Sequence, residues 1–246
     1  MVVFILNSRL VTSISLIIAE ASLETVPKQI ASHPAVKNHA QKLGRNPREI
    51  LLDRSYHHAA MLRVGLESYW KRGRPDIIHF ALMEALSTPL FLKNLLKVYI
   101  HTVKDKLIVI GDNLRIPKSY FRFEGIMMNL FKEKMIKSPD GNNILLELYD
   151  NITFEQFIIN RVRPDMLIGL SSDGVQSTAE EIVSRNVIKN NHHFAFVIGG
   201  FPKGHFSNDT SRIFSCSYSI GELKLEAHIV IARILYECEK VLDLHE

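Results

Sequence analysis

The sequence predicts an α/β fold with a mostly parallel sheet covered by helices. Three observations carry that prediction. After residue 150, short apolar runs and helix-like stretches take turns, the order that builds parallel strands with helices packed on them. Three late apolar runs, at 167–174, 196–204 and 217–227, each lead into a loop of small residues. The chain has 246 residues and is 46% hydrophobic, so it can bury a full core as one large domain or two small ones.

In chain order, residues 14–19 predict a first buried strand, with a short extension before it. The stretch 1–18 superficially resembles a signal peptide, but Asn7, Ser8 and Arg9 break its apolar run and no small-residue cleavage site follows. Pro75 suits the first turn of a helix over 76–86. Residues 97–101 and 107–110 predict a β-hairpin turning at Lys104-Asp105, an excursion from the main sheet. A helix over 119–135 follows Pro117. The run 138–143 is a loop by its turn residues, too short to be a free linker. A strand is expected over 144–149, and Thr153 with Gln156 has the form of a capping box opening a helix to about residue 160. Strands over 166–170, 195–199 and 213–218 alternate with helices over 178–186 and 222–242. The last helix carries Leu225, Ile229, Ala232, Leu235 and Tyr236 on one stripe. There is no internal repeat and no low-complexity tract.

The net charge of +4 permits an anionic partner without requiring one. No run reaches the ~20 apolar residues that a membrane span needs. Cys216 and Cys238 form neither a metal-ligand spacing nor a disulfide framework, so a reducing, cytoplasmic setting is the default. His57-His58 and His192-His193 lack a Cys, Asp or Glu at zinc-like spacing, and no metal site is expected.

Two regions concentrate unusual residues. The first is the set of small-residue loops. A strand that stops at glycine lets bare backbone approach a ligand, because no Cβ stands in the way. Singly, each loop is an ordinary strand end; three side by side point to one pocket of main-chain N–H and C=O groups.

The second region is basic, over 53–125. Asp76 lies at a helix start, where a carboxylate favours the helix dipole; alternatively it pairs with Arg74 and holds that guanidinium in place. Both readings stand. Lys118 and Arg122, four apart at a predicted helix start, share a face, and Arg115 lies just before it. Three cations there repel one another unless an anion sits among them; a solvated basic face is the plainer alternative. Arg74 is a candidate for the same patch. Tyr120, Phe121 and Phe123 are able to stack on bases, with core packing the expected role of at least two. Residues 53–58 read as a polar loop supporting this region.

With these residues in view, the chain resembles the pseudouridine-N1-specific methyltransferases of small-subunit rRNA, ribosome-biogenesis proteins of the SPOUT, or α/β-knot, class. The resemblance runs from about Leu16 to Glu239. Its markers are the stretch Ala19 to Pro27, Leu52-Asp53-Arg54-Ser55-Tyr56-His57-His58, Arg74-Pro75-Asp76-Ile77-Ile78-His79, Arg115-Ile116-Pro117, Arg122-Phe123 with Gly125, and the three glycine loops. It implies a single SPOUT domain with a C-terminal trefoil knot, an inserted hairpin at about 96–112 that adds RNA-binding surface, and a knot and cofactor region at about 165–242. Residues 1–12 form an N-terminal extension with no implied role. The implied cofactor is S-adenosyl-L-methionine, held by Leu170, Gly199, Gly204, Ile220, Gly221, Glu222, Leu223, Lys224 and Leu225. The implied rRNA contacts are Arg74, Arg115, Lys118 and Arg122, with Asp76 orienting Arg74. Family members usually carry arginine where Lys118 stands, and lysine keeps the charge but loses the planar fork.

The resemblance further implies a homodimer. The expected activity is methylation of N1 of a pseudouridine in small-subunit (16S-type) rRNA, and no proton acceptor is assigned. The alternative is a non-catalytic rRNA-binding assembly factor that retains the fold. A dinucleotide-dependent enzyme ranks lower, because its glycine fingerprint belongs at the first strand–helix turn and here the glycine loops come late.

Overall fold

The computed structural model of the chain describes residues 13–187 and 192–244; the expected extension 1–12 lies outside the described residues. Strand β1 (Ser13–Ala21) is followed by helices α1 (Pro34–Lys42), α2 (Arg54–Arg63), α3 (Pro75–Ala85) and α4 (Pro89–Leu92). Strands β2 (Leu96–Thr102) and β3 (Leu107–Ile110) lead to α5 (Tyr120–Glu133), β4 (Met135–Lys137), β5 (Ile144–Tyr149) and α6 (Phe154–Phe157). Then β6 (Met166–Ser177), α7 (Ala179–Asn186), β7 (His193–Gly199), α8 (Asn208–Ser211), β8 (Cys216–Ile220) and α9 (Ala227–Val241) complete the chain.

The described strands form one sheet in the order β4-β5-β3-β2-β1-β7-β6-β8. From β2 to β8 all pairings are parallel, and β3, β5 and β4 extend the β2 edge antiparallel. Strand β1 is apolar on both faces, which suits a parallel sheet covered on both sides. Ile14, Leu16 and Ile18 join the larger core beneath α1 to α5, α7 and α9. Ile17 and Ala19 face the other way, as alternation along a strand requires, and pack with Phe154, Phe157, Ile158 and Val162.

The hairpin forms, but it is continuous with the sheet rather than set apart from it. Its first strand, β2, lies parallel beside β1, with Leu16 opposite Val98. Asp105 takes the left-handed conformation at the turn (φ 50°), and its N–H donates to Thr102 O at 3.2 Å.

Side-chain caps set several helix starts. Both α6 and α7 open on complete capping boxes, Thr153 with Gln156 and Thr178 with Glu181. After α6 the chain continues into a π-helical turn, Ile158–Val162. The expected helix over 119–135 stops earlier, at Glu133. Lys134 adopts φ 65° and its N–H returns to Leu130 O at 2.8 Å, turning the chain into β4, a strand the sequence did not reveal. Helix α9 begins at Ala227 rather than 222, so its buried side is Ile231, Ile234, Leu235 and Cys238, while Ile229 and Tyr236 are exposed. Strand β8 spans 216–220 rather than 213–218, and Ile213 and Phe214 pack into the smaller core instead.

Residues 53–58 are not a loop. Asp53 caps α2, accepting from Ser55 N–H at 2.8 Å, and the next residues form its first turns. His57 is fully buried. Asp53 N–H donates to His57 Nδ1 at 3.1 Å. That makes Nε2 the protonated nitrogen, which donates to His39 Nδ1 at 3.0 Å. Burial, and then the neighbouring His39, push the His57 pKa down to about 4.

A histidine whose pKa falls on folding binds its proton more tightly when unfolded. Its contribution to stability is full above its ordinary pKa of 6.5 and is lost as the pH falls toward about 4. Urea midpoints should therefore drop between pH 7 and pH 5. In His57→Gln the dependence should be shallower by up to ~1.4 kcal/mol per pH unit, with His39, His101 and His193, also shifted down by burial, supplying the remainder. An unchanged slope would contradict this reading.

Candidate functional site

The C-terminal ends of β1, β7, β6 and β8 lie side by side, and the chain after β7, β6 and β8 converges on one cleft of about 360 Å³. Strand β6 is longer than expected because it is interrupted. Residues 171–174 bulge out, so that Tyr218 of β8 pairs with both Leu170 and Val175. The bulge forms one wall of the cleft through Ser171 and Ser172. Of the residues expected at a cofactor, Leu170, Gly199, Gly204, Ile220, Leu223, Lys224 and Leu225 line this cleft. Gly221 and Glu222 belong to the same loop but not to the lining; Gly221, at φ 73°, instead donates to Ser177 O at 3.2 Å.

The glycines act partly through neighbours rather than by direct exposure. A Cβ at Gly199 would lie 2.8 Å from the Phe201 ring, so this glycine makes room for an aromatic wall of the cleft. A Cβ at Gly200 would lie 2.8 Å from Ala21 Cα, and the Gly200 N–H donates to Ala19 O at 2.8 Å. Close approach of two backbones thus fixes where the loop leaves the sheet. Phe201, Phe206 and Phe214 continue edge to face at 5.6 Å and 5.2 Å.

Glu20 anchors the far end of this loop. It sits at φ 48° as β1 closes, and its carboxylate accepts from Lys71 Nζ at 2.5 Å and Ser207 N–H at 2.7 Å. Burial pushes the Glu20 carboxyl up, but the bonds from Lys71 and Ser207 outweigh it and hold it below its ordinary value. Two residues on, Ser22 Oγ accepts the Arg74 N–H at 2.8 Å. Glu24 forms a buried two-pronged pair with Arg72, at 2.6 Å to Nε and 2.5 Å to Nη2.

Arg74 is thereby delivered to the rim of the cleft, where Ile77 of α3 also contributes. Its Nε and Nη2 donate to the two Asp76 oxygens, each at 2.8 Å. Asp76 also occupies the first turn of α3, so both sequence readings of this carboxylate hold. The Asp76 bonds raise the Arg74 pKa further above its already high value. Arg74 lines a second cavity as well, of about 670 Å³, formed with Asp53, Arg54, Tyr56, His58, Asp76 and Tyr120. The Tyr120 hydroxyl donates to Asp53 Oδ2 at 3.0 Å. Burial, and then the Asp53 charge, push this phenol far above its ordinary pKa, so it remains a donor.

Arg115, Lys118 and Arg122 are all exposed, and none forms an ion pair among the described residues. The structure corrects the argument that placed two of them together. Ser119 is the N-cap of α5, so Lys118 precedes the helix, and a four-residue spacing to Arg122 does not define a common helical face. Arg115 and Lys118 line a separate cavity of about 540 Å³ against α3 and α4. The segment that carries them is fixed by His79, whose Nε2–H donates to Pro117 O at 2.7 Å and whose ring stacks on Phe123 at 4.7 Å. Phe123 is core, Tyr120 is half-buried, and Phe121 is 69% exposed.

Among the described residues, no three His, Cys, Asp or Glu side chains are grouped to hold a metal. His193 bonds Ser15 Oγ at 2.8 Å, and Cys216 and Cys238 are free. The sequence reading missed Phe201, Tyr218 and Ile77 in the cleft, and Arg54, Tyr56 and His58 in the second cavity. The last three stand inside the quoted 53–58 motif, which was the available signal.

The family described as EMG1/NEP1 methyltransferase matches residues 16–239. The ribosomal RNA small subunit methyltransferase Nep1 of Staphylothermus marinus is 36% identical over 231 residues, covering 94% of this chain and 97% of that protein. The Nep1 of Saccharolobus solfataricus is 38% identical over 229 residues, covering 93% and 98%. The crystal structure of Archaeoglobus fulgidus Nep1 bound to S-adenosylhomocysteine matches with a TM-score of 0.80 at 33% identity, over 94% of this chain and 100% of that one.

The Asp53–Tyr120 bond ties the start of α2 to the start of α5. A double-mutant cycle of Asp53→Ala and Tyr120→Phe, followed by urea denaturation, should give a coupling energy of about 1–3 kcal/mol. Additive single effects would show that the contact does not couple the two helices.

Proposed function

The chain belongs to the EMG1/NEP1 methyltransferase family, and on that premise we propose that it methylates N1 of a pseudouridine in small-subunit rRNA. It is an S-adenosylmethionine-dependent rRNA methyltransferase of the SPOUT type. The observation that carries the finer reading is the position of Arg74, which lines both the glycine-loop cleft and the neighbouring polar cavity.

The cleft suits the cofactor. At about 360 Å³ it falls in the range of small-molecule sites, and it joins apolar walls to loops whose glycines bring backbone close. Leu170, Gly199, Gly204, Ile220, Leu223, Lys224 and Leu225 would hold S-adenosylmethionine there, with Gly221 and Glu222 shaping their loop. When bound, the cofactor supplies an electrophilic methyl group.

The remaining work belongs to the chain's own residues. Pseudouridine is joined to its sugar through carbon, so its N1–H is free, whereas N1 of uridine carries the ribose. Discrimination is thus chemical as well as geometric, and placing N1 beside the cleft accounts for much of the rate. Arg74, fixed by Asp76 and Ser22, holds the RNA at the junction of the two cavities. Because both Asp76 oxygens are engaged by Arg74, its role is positioning rather than proton removal. The target nucleotide leaves its stack to reach this point. Arg115, Lys118 and Arg122 bind flanking phosphates, and their lack of carboxylate partners among the described residues leaves their charge available.

We further propose a homodimer with the cofactor cleft near its interface. Exposed apolar side chains support it: Phe80 on α3 is 53% exposed, with its ring tilted 41° to that of His228 of α9 at 5.7 Å, and Leu223 at the cleft is 79% exposed. The proposed location is the cytoplasm; no described helix is long and apolar enough to cross a membrane.

Two measurements test the assignment. Labelled S-adenosylmethionine is offered with matched RNA stem-loops carrying pseudouridine or uridine in the loop. Transfer to the pseudouridine RNA alone is expected. No transfer, with both cofactor and RNA still bound, would favour an assembly role without catalysis. Separately, Arg122→Ala should weaken RNA binding and reduce its salt slope by about 0.7, the share of one phosphate contact on a single strand. Affinity for S-adenosylhomocysteine should stay unchanged, and equal loss of both ligands would break this division of labour.

A further inference from the structure

The first turn of α2 holds an arrangement that methyl transfer itself does not use. Tyr56 is 52% exposed, yet one ring face is stacked on His39 with centroids 3.9 Å apart and planes 19° from parallel. His39 is buried and bonded to His57, which is in turn held by the Asp53 N–H. The tyrosine is therefore fixed from beneath by a chain of bonds that ends in backbone. An exposed side chain ordinarily keeps its rotamer freedom; this ring is already oriented, with its outer side toward solvent.

Its neighbours supply charge. Arg54 forms no ion pair among the described residues; its Nη2 donates to His58 Nε2 at 3.3 Å. The acids close by are committed elsewhere. Asp53 accepts from Ser55 N–H and the Tyr120 hydroxyl, and Asp76 accepts from Arg74. Arg54, Tyr56 and His58 line the cavity of about 670 Å³ that Arg74 shares with the glycine-loop cleft. A fixed aromatic face, an uncompensated guanidinium and a roomy polar cavity beside the reaction site match a single-stranded nucleotide, which offers a flat base and an anionic phosphodiester.

We propose that the first turn of α2 is a nucleotide subsite for a base next to the methylated one, with Tyr56 stacking on that base and Arg54 contacting its phosphodiester. This rests on the rRNA-methyltransferase reading and adds a second, sequence-tolerant contact to it. The subsite keeps the neighbouring base from restacking on the extruded target, so its loss acts on RNA affinity and not on the cofactor.

The test uses the full chain and pseudouridine stem-loops in which each loop position in turn is made abasic. Tyr56→Leu keeps apolar cover over His39 but removes the aromatic face; Tyr56→Phe keeps the face. Loss of one stacked base should weaken RNA binding by about 5- to 150-fold in Tyr56→Leu, with Tyr56→Phe within about 2-fold of the parent. Making one particular neighbour of the target abasic should weaken the parent by a similar factor and abolish its difference from Tyr56→Leu. Arg54→Ala should reduce the salt slope by about 0.7. S-adenosylhomocysteine affinity and urea midpoints, measured alongside, report whether the variants are folded. The proposal is overturned if Tyr56→Leu binds like the parent, or if its defect persists whichever position is abasic, which would make Tyr56 merely a lid over His39. Failure of the parent to methylate or bind the stem-loop would instead remove the rRNA reading on which the subsite stands.

Discussion

Strand β1 is buried on both faces, so its polar obligations are met where it ends. There the sequence changes abruptly from Ile and Ala to Glu20, Ser22 and Glu24, at alternate positions. Each takes a partner from the segment 71–74: Lys71, the Arg74 N–H and Arg72 in turn. The Ala19 carbonyl and the Ser22 N–H meanwhile grip the two sides of Gly200. One strand end thus clasps both the basic segment and the glycine loop. The buried Glu24–Arg72 pair makes this clasp costly to half-undo, since removing one member of such a pair typically costs about 3–5 kcal/mol. The geometry of the site depends on this clasp more than on any group inside the cleft.

The clasp also divides the cations of the basic region by job. Lys71 and Arg72 are neutralised by buried or half-buried carboxylates and hold the fold. Arg74 is paired but half exposed, with its fork oriented by Asp76. Arg54, Arg115, Lys118 and Arg122 have no carboxylate partner among the described residues. Charge count alone would treat these residues as equivalent. Their partners separate a structural set from a set whose fields reach solvent, and the second set is the one proposed to meet an RNA backbone.

Much of the architecture was legible because it is written in local chemistry. The strands over 107–110 and 144–149 coincide with β3 and β5, since short apolar runs bounded by turn residues have few alternatives. The capping box at Thr153 carries its geometry in two residues. Helix α2 was hidden because its buried face is His57, Ala60 and Met61, and a buried histidine reads as polar. Strand β4 was hidden because it depends on one residue, Lys134, taking a left-handed conformation. At the site, the Arg74–Asp76 pair and the glycine loops were visible as motifs. What Gly199 makes room for was not, because Phe201 folds back onto it only in three dimensions. The common face assigned to Lys118 and Arg122 failed for a related reason: helical spacing applies only after the cap, and the cap is Ser119.

The order of the sheet has a consequence for how the protein is made. Strand β1 leaves the ribosome before the other described strands, yet its partner on one side is β7, with Ser13 opposite His193. Until β7 has been synthesised, one edge of this buried strand has no native neighbour. Pairings so distant in sequence are slow to form, and an unpaired apolar edge invites association with other chains in the interval. The nascent protein therefore carries this open edge throughout the synthesis of the segment between β1 and β7, and the same late closure brings the glycine loop onto the end of β1. A truncated or prematurely terminated chain lacks the cleft and also the cover for its central strand.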